Sequence, residues 1–217
     1  MKQQQSTVER AVEAFRAGEP VLIHDAADRE GETDLVYPAA VVTAADVARM
    51  RNDAGGLVCT ALADEVADAF DLPFLASAVD HPVTGDHDLG YDDRSSFSLT
   101  VNHRDTYTGI TDNDRALTIS ELGKAAADPE GTDFADVFRS PGHVHLLRAA
   151  PGLVADRGGH TEYAVALALA ADREPAAVVC EMLDDETGEA LAPEAARRYG
   201  ERTGTPFVEG ERLADEL

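Results

Sequence analysis

Seven consecutive residues, Asp28-Arg29-Glu30-Gly31-Glu32-Thr33-Asp34, gather four carboxylates and one guanidinium between two apolar runs. Carboxylates suit a hard divalent cation and accept hydrogen bonds from sugar hydroxyls, and Gly31 lets the stretch bend over a ligand. In so acidic a chain the same residues also read as a solvated loop. Farther on, Gly142-His143-Val144-His145-Leu146-Leu147 alternates, which in a strand turns both imidazoles to one face. Such a pair is either an HxH metal site or two ordinary polar strand residues. Arg157-Gly158-Gly159-His160-Thr161-Glu162 sets a guanidinium, flexible backbone and a hydroxyl directly before the apolar run Tyr163 to Ala171. Backbone N–H groups at a helix amino terminus, with an arginine fork and a threonine, can grip one phosphate dianion. Capping by Thr161 explains the same residues without a ligand. Glu181, after Val178-Val179-Cys180, is either a general base or an exposed strand end. Cys59, within Leu57-Val58-Cys59-Thr60-Ala61, reads as a core thiol, since the sequence shows no activating neighbour.

The elements that must position these groups alternate irregularly. Ser6 with Glu9 makes a capping box for a helix through Val8, Val12 and Phe15, closed by Gly18. Pro20 to His24 and Leu35 to Tyr37 read as strands on either side of the polar segment from Asp25 to Thr33. Thr43 with Asp46 opens a second helix that Gly55-Gly56 ends. Leu57 to Ala61 is the next strand and Asp64 to Phe70 a short helix. Phe97 to Val101 reads as a strand, Thr108 to Arg115 as a polar loop and Ile119 to Ala127 as a helix, with Asp128 to Asp136 rich in loop residues. Ala176 to Cys180 is a buried strand, before a turn at Asp184 to Gly188, a polar helix from Glu194 to Arg202 and a short strand at Phe207-Val208. No repeat or linker divides the chain, which implies a single domain over residues 1–217. The pattern predicts an α+β fold, a three-layer α-β-α arrangement around a mixed twisted sheet.

Composition narrows the setting. The 18 basic residues against 42 acidic ones leave a formal charge of -24, but regular apolar segments argue against a disordered chain. A folded domain with this surface suits concentrated salt, where self-repulsion is screened, so a salt-adapted cytoplasm is expected. No basic stripe exists to replace phosphate counterions, which excludes a nucleic-acid partner. Two cysteines without CxxC spacing indicate a reducing compartment. No apolar run approaches membrane-spanning length and the amino terminus lacks an apolar leader, so a soluble, cytoplasmic protein without a membrane partner is expected. Walker, GxGxxG, HExxH and GxSxG patterns are missing, which weighs against nucleotide, dinucleotide and serine-hydrolase chemistry.

DREGETD, TGITDNDR, RSPGHVHLLRA, RGGHTE and PAAVVCEML, in this order and spread from about Val21 to Pro193, together resemble the 3,4-dihydroxy-2-butanone 4-phosphate synthase family of riboflavin biosynthesis. The resemblance implies a lyase that uses Mg2+ (or Mn2+) to turn D-ribulose 5-phosphate into formate and a four-carbon ketone phosphate. It also implies a homodimer with active sites at the subunit interface. Carried onto the matching positions, it makes Glu30 and His160 metal ligands and sets Arg29, Glu30, Asp34 and Thr111 against the sugar. Arg157, Gly158, Gly159, His160 and Thr161 take the phosphate end, and His143 and Glu181 carry proton transfers. Gly31 and Thr33 stand where many relatives have Asn and Gly, while His145 occupies a position that often holds an aromatic and receives no role. Relatives with a fused GTP cyclohydrolase II domain carry a cysteine-rich zinc site, so two cysteines imply the synthase step alone. Two rivals remain: a zinc hydrolase built on His143, His145 and His160, and a sugar-phosphate-binding module without chemistry.

Overall fold

Both expected capping boxes form. Ser6 Oγ accepts from the Glu9 N–H at 3.0 Å and the Glu9 carboxylate accepts from the Ser6 N–H at 2.9 Å, which opens α1 (Thr7–Arg16). Thr43 and Asp46 open α2 (Ala44–Asp53) in the same way. Each box satisfies N–H groups that the first helical turn leaves without intrahelical acceptors. The computed structural model describes residues 5–25, 31–84, 90 and 94–217. Asp28, Arg29 and Glu30 of the acidic stretch lie outside the described residues.

The remaining elements follow in chain order: β1 (Val21–His24), β2 (Thr33–Pro38), β3 (Cys59–Leu62), α3 (Asp64–Ala69), α4 (Leu75–Ala78), β4 (Phe97–His103), α5 (Asp112–Ala127), α6 (Phe134–Val137), β5 (Phe138–Arg148), α7 (His160–Ala170), β6 (Ala176–Glu181), α8 (Pro193–Thr203), β7 (Phe207–Glu209) and α9 (Gly210–Glu216). The strands make one sheet in the order β4-β5-β3-β6-β2-β1-β7. It is mixed, because β3 runs parallel to β5 and β1 to β7, while the other neighbours are antiparallel. Every residue of β1, β2 and β3 is buried, as is β6 up to Cys180, so both faces of the central sheet are covered. The α1–α7 pair and the α2–α5 pair supply that cover. The α+β, three-layer expectation therefore holds.

Several boundaries differ from the sequence reading. The third strand starts at Cys59, two residues after Leu57, and extends to Leu62. The segment read as a loop to Arg115 is already helix from Asp112, because Thr111 Oγ1 accepts the Asp114 N–H at 3.1 Å and caps α5. Asp112, Asn113 and Asp114 suggest a turn by composition, yet acidic side chains are favoured beside the positive end of a helix. Phe134 begins a one-turn helix inside the loop-rich segment, and α9 follows the last strand. Among the described residues no helix is long and apolar enough to cross a membrane.

Candidate active site

The antiparallel register of β2 and β6 sets Asp34 directly opposite Glu181. Asp34 is only 1% exposed, and neither of its carboxylate oxygens has a hydrogen-bond partner among the described residues. His160 Nδ1, from the first turn of α7, lies 3.9 Å from Asp34 Oδ2. Burial is the main force raising the Asp34 carboxyl from 3.8 to about 7; His160 opposes it, and Glu181, Glu32 and Asp25 add to it. A buried acid with unsatisfied oxygens, next to an imidazole and a second carboxylate, is a donor set that a hard divalent cation would satisfy. The described residues alone do not bring three metal-ligating side chains into one chelating group. Glu30, the other ligand implied by the resemblance, is outside them.

The RGGHTE turn opens α7, but its cap is Gly159 in an extended conformation without a side-chain hydrogen bond. The alternative reading, capping by Thr161, does not hold: Thr161 sits inside the first turn, and its buried Oγ1 has no hydrogen-bond partner among the described residues. Arg157 Nη1 donates to Glu162 Oε2 at 2.6 Å, and Glu162 Oε1 accepts the Ala150 N–H at 2.9 Å. Glu162 is fully buried, and burial of a carboxylate requires such partners. One side chain thereby ties the arginine, the helix start and the segment after β5 together. The sequence signal for it was a glutamate at the head of an otherwise apolar helix.

His143 stands in an irregular part of β5. Val101 pairs with Val144, but the next β4 residue, Asn102, pairs with Arg139, so residues 140–143 bulge out of the ladder. The Ser140–Pro141 peptide in this bulge is cis. The N–H groups it frees are taken by β4 side chains: Thr100 Oγ1 accepts from Gly142 at 3.1 Å and Asn102 Oδ1 from His143 at 2.8 Å. Only glycine fits at 142, where a Cβ would lie 1.9 Å from the Val101 carbonyl carbon. His145 is held differently, edge-on to Phe97 at 5.9 Å, and burial lowers its pKa. The two histidines and His160 do not form a ligand cluster among the described residues.

Register places His143 relative to the carboxylates. His145 pairs with Cys59, and Cys59 with Val179 of the antiparallel β6. His143 precedes His145 by two residues and Glu181 follows Val179 by two, so both lie toward the same end of the sheet. Cys59 is buried, and burial first, then Glu181, Cys180 and Asp34, push its thiol far above the ordinary range. It is a core thiol, as expected. Thr111 is exposed, with its oxygen engaged as the α5 cap.

Comparisons with known proteins identify the family. The family model described as 3,4-dihydroxy-2-butanone 4-phosphate synthase matches residues 9–216. Proteins of that name from Methanosarcina mazei and Archaeoglobus fulgidus are each 48% identical to the chain; the alignments cover 99% and 95% of it, and 92% of each relative. Among solved structures, the synthase of Candida albicans superposes with a TM-score of 0.80 at 32% identity, covering 98% of both chains. A 3,4-dihydroxy-2-butanone 4-phosphate synthase in complex with two magnesium ions superposes with a TM-score of 0.82 at 32% identity, over 95% of this chain and 94% of that one. From α1 through the acidic stretch, the histidine strand and the RGGHTE turn to α9, the chain belongs to the 3,4-dihydroxy-2-butanone 4-phosphate synthase family.

Proposed function

We propose that this chain is a cytoplasmic lyase, a single domain over residues 1–217, that converts D-ribulose 5-phosphate into 3,4-dihydroxy-2-butanone 4-phosphate and formate with Mg2+ (or Mn2+). The observation that carries the proposal is the convergence of Asp34, Glu181 and His160 beside the amino terminus of α7. His160 and Glu30 would hold the ion, which supplies Lewis-acid stabilisation of negative charge on neighbouring substrate oxygens. Asp34 and Arg29 hold the sugar hydroxyls, with Glu30 alongside. Thr111 accepts a hydrogen bond within its own turn and keeps its O–H for the substrate. Arg157, the N–H groups of Gly158, Gly159 and His160, and the Thr161 hydroxyl take the phosphate; the buried, unsatisfied Thr161 Oγ1 supports this.

The substrate's proton next to its carbonyl leaves first, because the resulting negative charge can be delocalised. Glu181, a half-buried carboxylate at the end of β6, takes it in this reading, and a positioned base is worth about 10²–10⁴-fold. His143, in the β5 bulge, serves the same reaction. The working unit is a homodimer with sites at the subunit interface. Support comes from Tyr107, 94% exposed, and Ile110, 52% exposed, in the loop that packs on Asn102 beside His143. Exposed apolar side chains next to a functional residue mark an association surface.

Incubation with ribulose 5-phosphate and Mg2+ in concentrated salt, followed by a formate assay, tests the reaction. Formate that disappears on adding chelator is the expected result. Folded protein that binds the sugar phosphate and yields no formate would leave only the binding module.

A further inference from the structure

Asn102 is buried in β4, and its amide makes contacts that no part of the proposed chemistry has used. Its Oδ1 accepts the His143 backbone N–H at 2.8 Å, and its Nδ2 lies 3.2 Å from His143 Nδ1. The backbone N–H fixes which way the amide faces, since a reversed amide would set a donor against a donor. That orientation leaves Nδ2 as the amide atom nearer to Nδ1, and an N–H bond from it is made only where Nδ1 carries a lone pair. The second lone pair of Oδ1, 3.3 Å from Nδ1, is the longer contact that the opposite tautomer would use. A neutral ring whose Nδ1 accepts carries its proton on Nε2.

The amide is wedged in place. Gly109, at φ +87°, lies so close that a Cβ on it would be 2.0 Å from Asn102 Nδ2. Gly109 is itself held by its N–H, which donates to Asp114 Oδ2 at 2.8 Å, and the Thr108 N–H donates to the same oxygen at 3.3 Å. The first turn of α5 therefore braces the loop, the loop braces Asn102, and Asn102 sets the ring.

We propose that Asn102 is a positioning residue that holds neutral His143 as its Nε2–H tautomer, so that the imidazole meets the substrate as a hydrogen-bond donor to a developing oxyanion. The proposal rests on the assignment of His143 to the active site. It divides the labour there: an Nε2 that already bears a proton is no base, so proton abstraction falls to Glu181.

Two-bond proton–nitrogen spectra of histidine-labelled full-length protein with Mg2+, assigned through His143→Asn, read the tautomer directly. In the wild type His143 should show an unprotonated Nδ1 and a protonated Nε2. Asn102→Asp supplies a carboxylate that accepts from both the backbone and Nδ1–H, so the pattern should invert. Turnover in that variant should fall about 10²-fold, the usual loss on removing one oxyanion donor, with KM changed less than about threefold. A wild-type spectrum with Nδ1 protonated overturns the proposal, and so does an Asn102→Asp variant that turns over at the wild-type rate. If that variant does not fold, the wild-type spectrum still decides. Full turnover by His143→Asn would remove His143 from the reaction, overturning the catalytic half while the spectrum separately reports the tautomer.

Discussion

Replacing Asp34 by asparagine tests whether the site buries an acid at an energetic cost. The carboxyl is raised from 3.8 to about 7, first by burial, with His160 opposing and Glu181 reinforcing. The metal-free folded protein therefore holds this proton roughly a thousandfold more tightly than the unfolded chain, about 4 kcal/mol. Between those two pH values the folded state binds more protons than the unfolded one, so stability falls as pH rises. The contribution is complete below the unfolded value and lost as pH passes the folded one. From about pH 5 to about pH 8 the loss amounts to about 3 kcal/mol, or about 6–12 °C in melting temperature for a chain of this size. Chelator-treated wild type and Asp34→Asn, unfolded by heat in the same salt at both pH values, isolate the effect by difference. The asparagine variant should lack that part of the pH dependence. Parallel curves for the two proteins would show that Asp34 is solvated and ionised in the native state, and the argument for its desolvation would fail.

Glu162→Gln leaves one half of an amide facing either Arg157 Nη1 or the Ala150 N–H with a donor of its own. Breaking a buried pair in this way costs about 3 kcal/mol, so melting should drop by about 6–12 °C and KM for the sugar phosphate should rise, whereas an unchanged melt would mean that the pair is dispensable. With a formal charge of -24, the melting temperature should climb steadily between about 0.1 M and about 3 M KCl, and a flat profile would rule out salt adaptation.

The legible parts of the fold were those with local signals. Ser6–Glu9 and Thr43–Asp46 announce helix starts within four residues, and the run from Tyr163 announces α7 by its length. The start of α5 was hidden because Asp112, Asn113 and Asp114 are turn formers and helix starters alike. In the site, the RGGHTE turn was readable as a helix amino terminus, but the partners that give it shape were not. Asp34 meets Glu181 only through the pairing of two strands distant in sequence. Asn102 reaches His143 across 41 positions, through a bulge whose extra residues no alternation pattern reveals. Glu162 needed the fold to show that Ala150 lies within its reach.

The surface charge and the proposed phosphate seat pull against each other, and short-range hydrogen bonding would reconcile them. A dianion approaching a chain of charge -24 is repelled at long range, but in concentrated salt that repulsion dies within about 3 Å. The same screening would cancel attraction by any exposed lysine or arginine. What survives is short-range donation from groups that salt does not reach. The α7 cap, Gly159, brings no side chain of its own to the helix start, Thr161 Oγ1 is buried, and Arg157 is anchored by a fully buried glutamate. Pairing Arg157 with Glu162 cancels most of its net charge while leaving a rigid, oriented hydrogen-bonding side chain. Recognition built on directed donors rather than on net positive charge is the arrangement that keeps working when ions crowd the solvent.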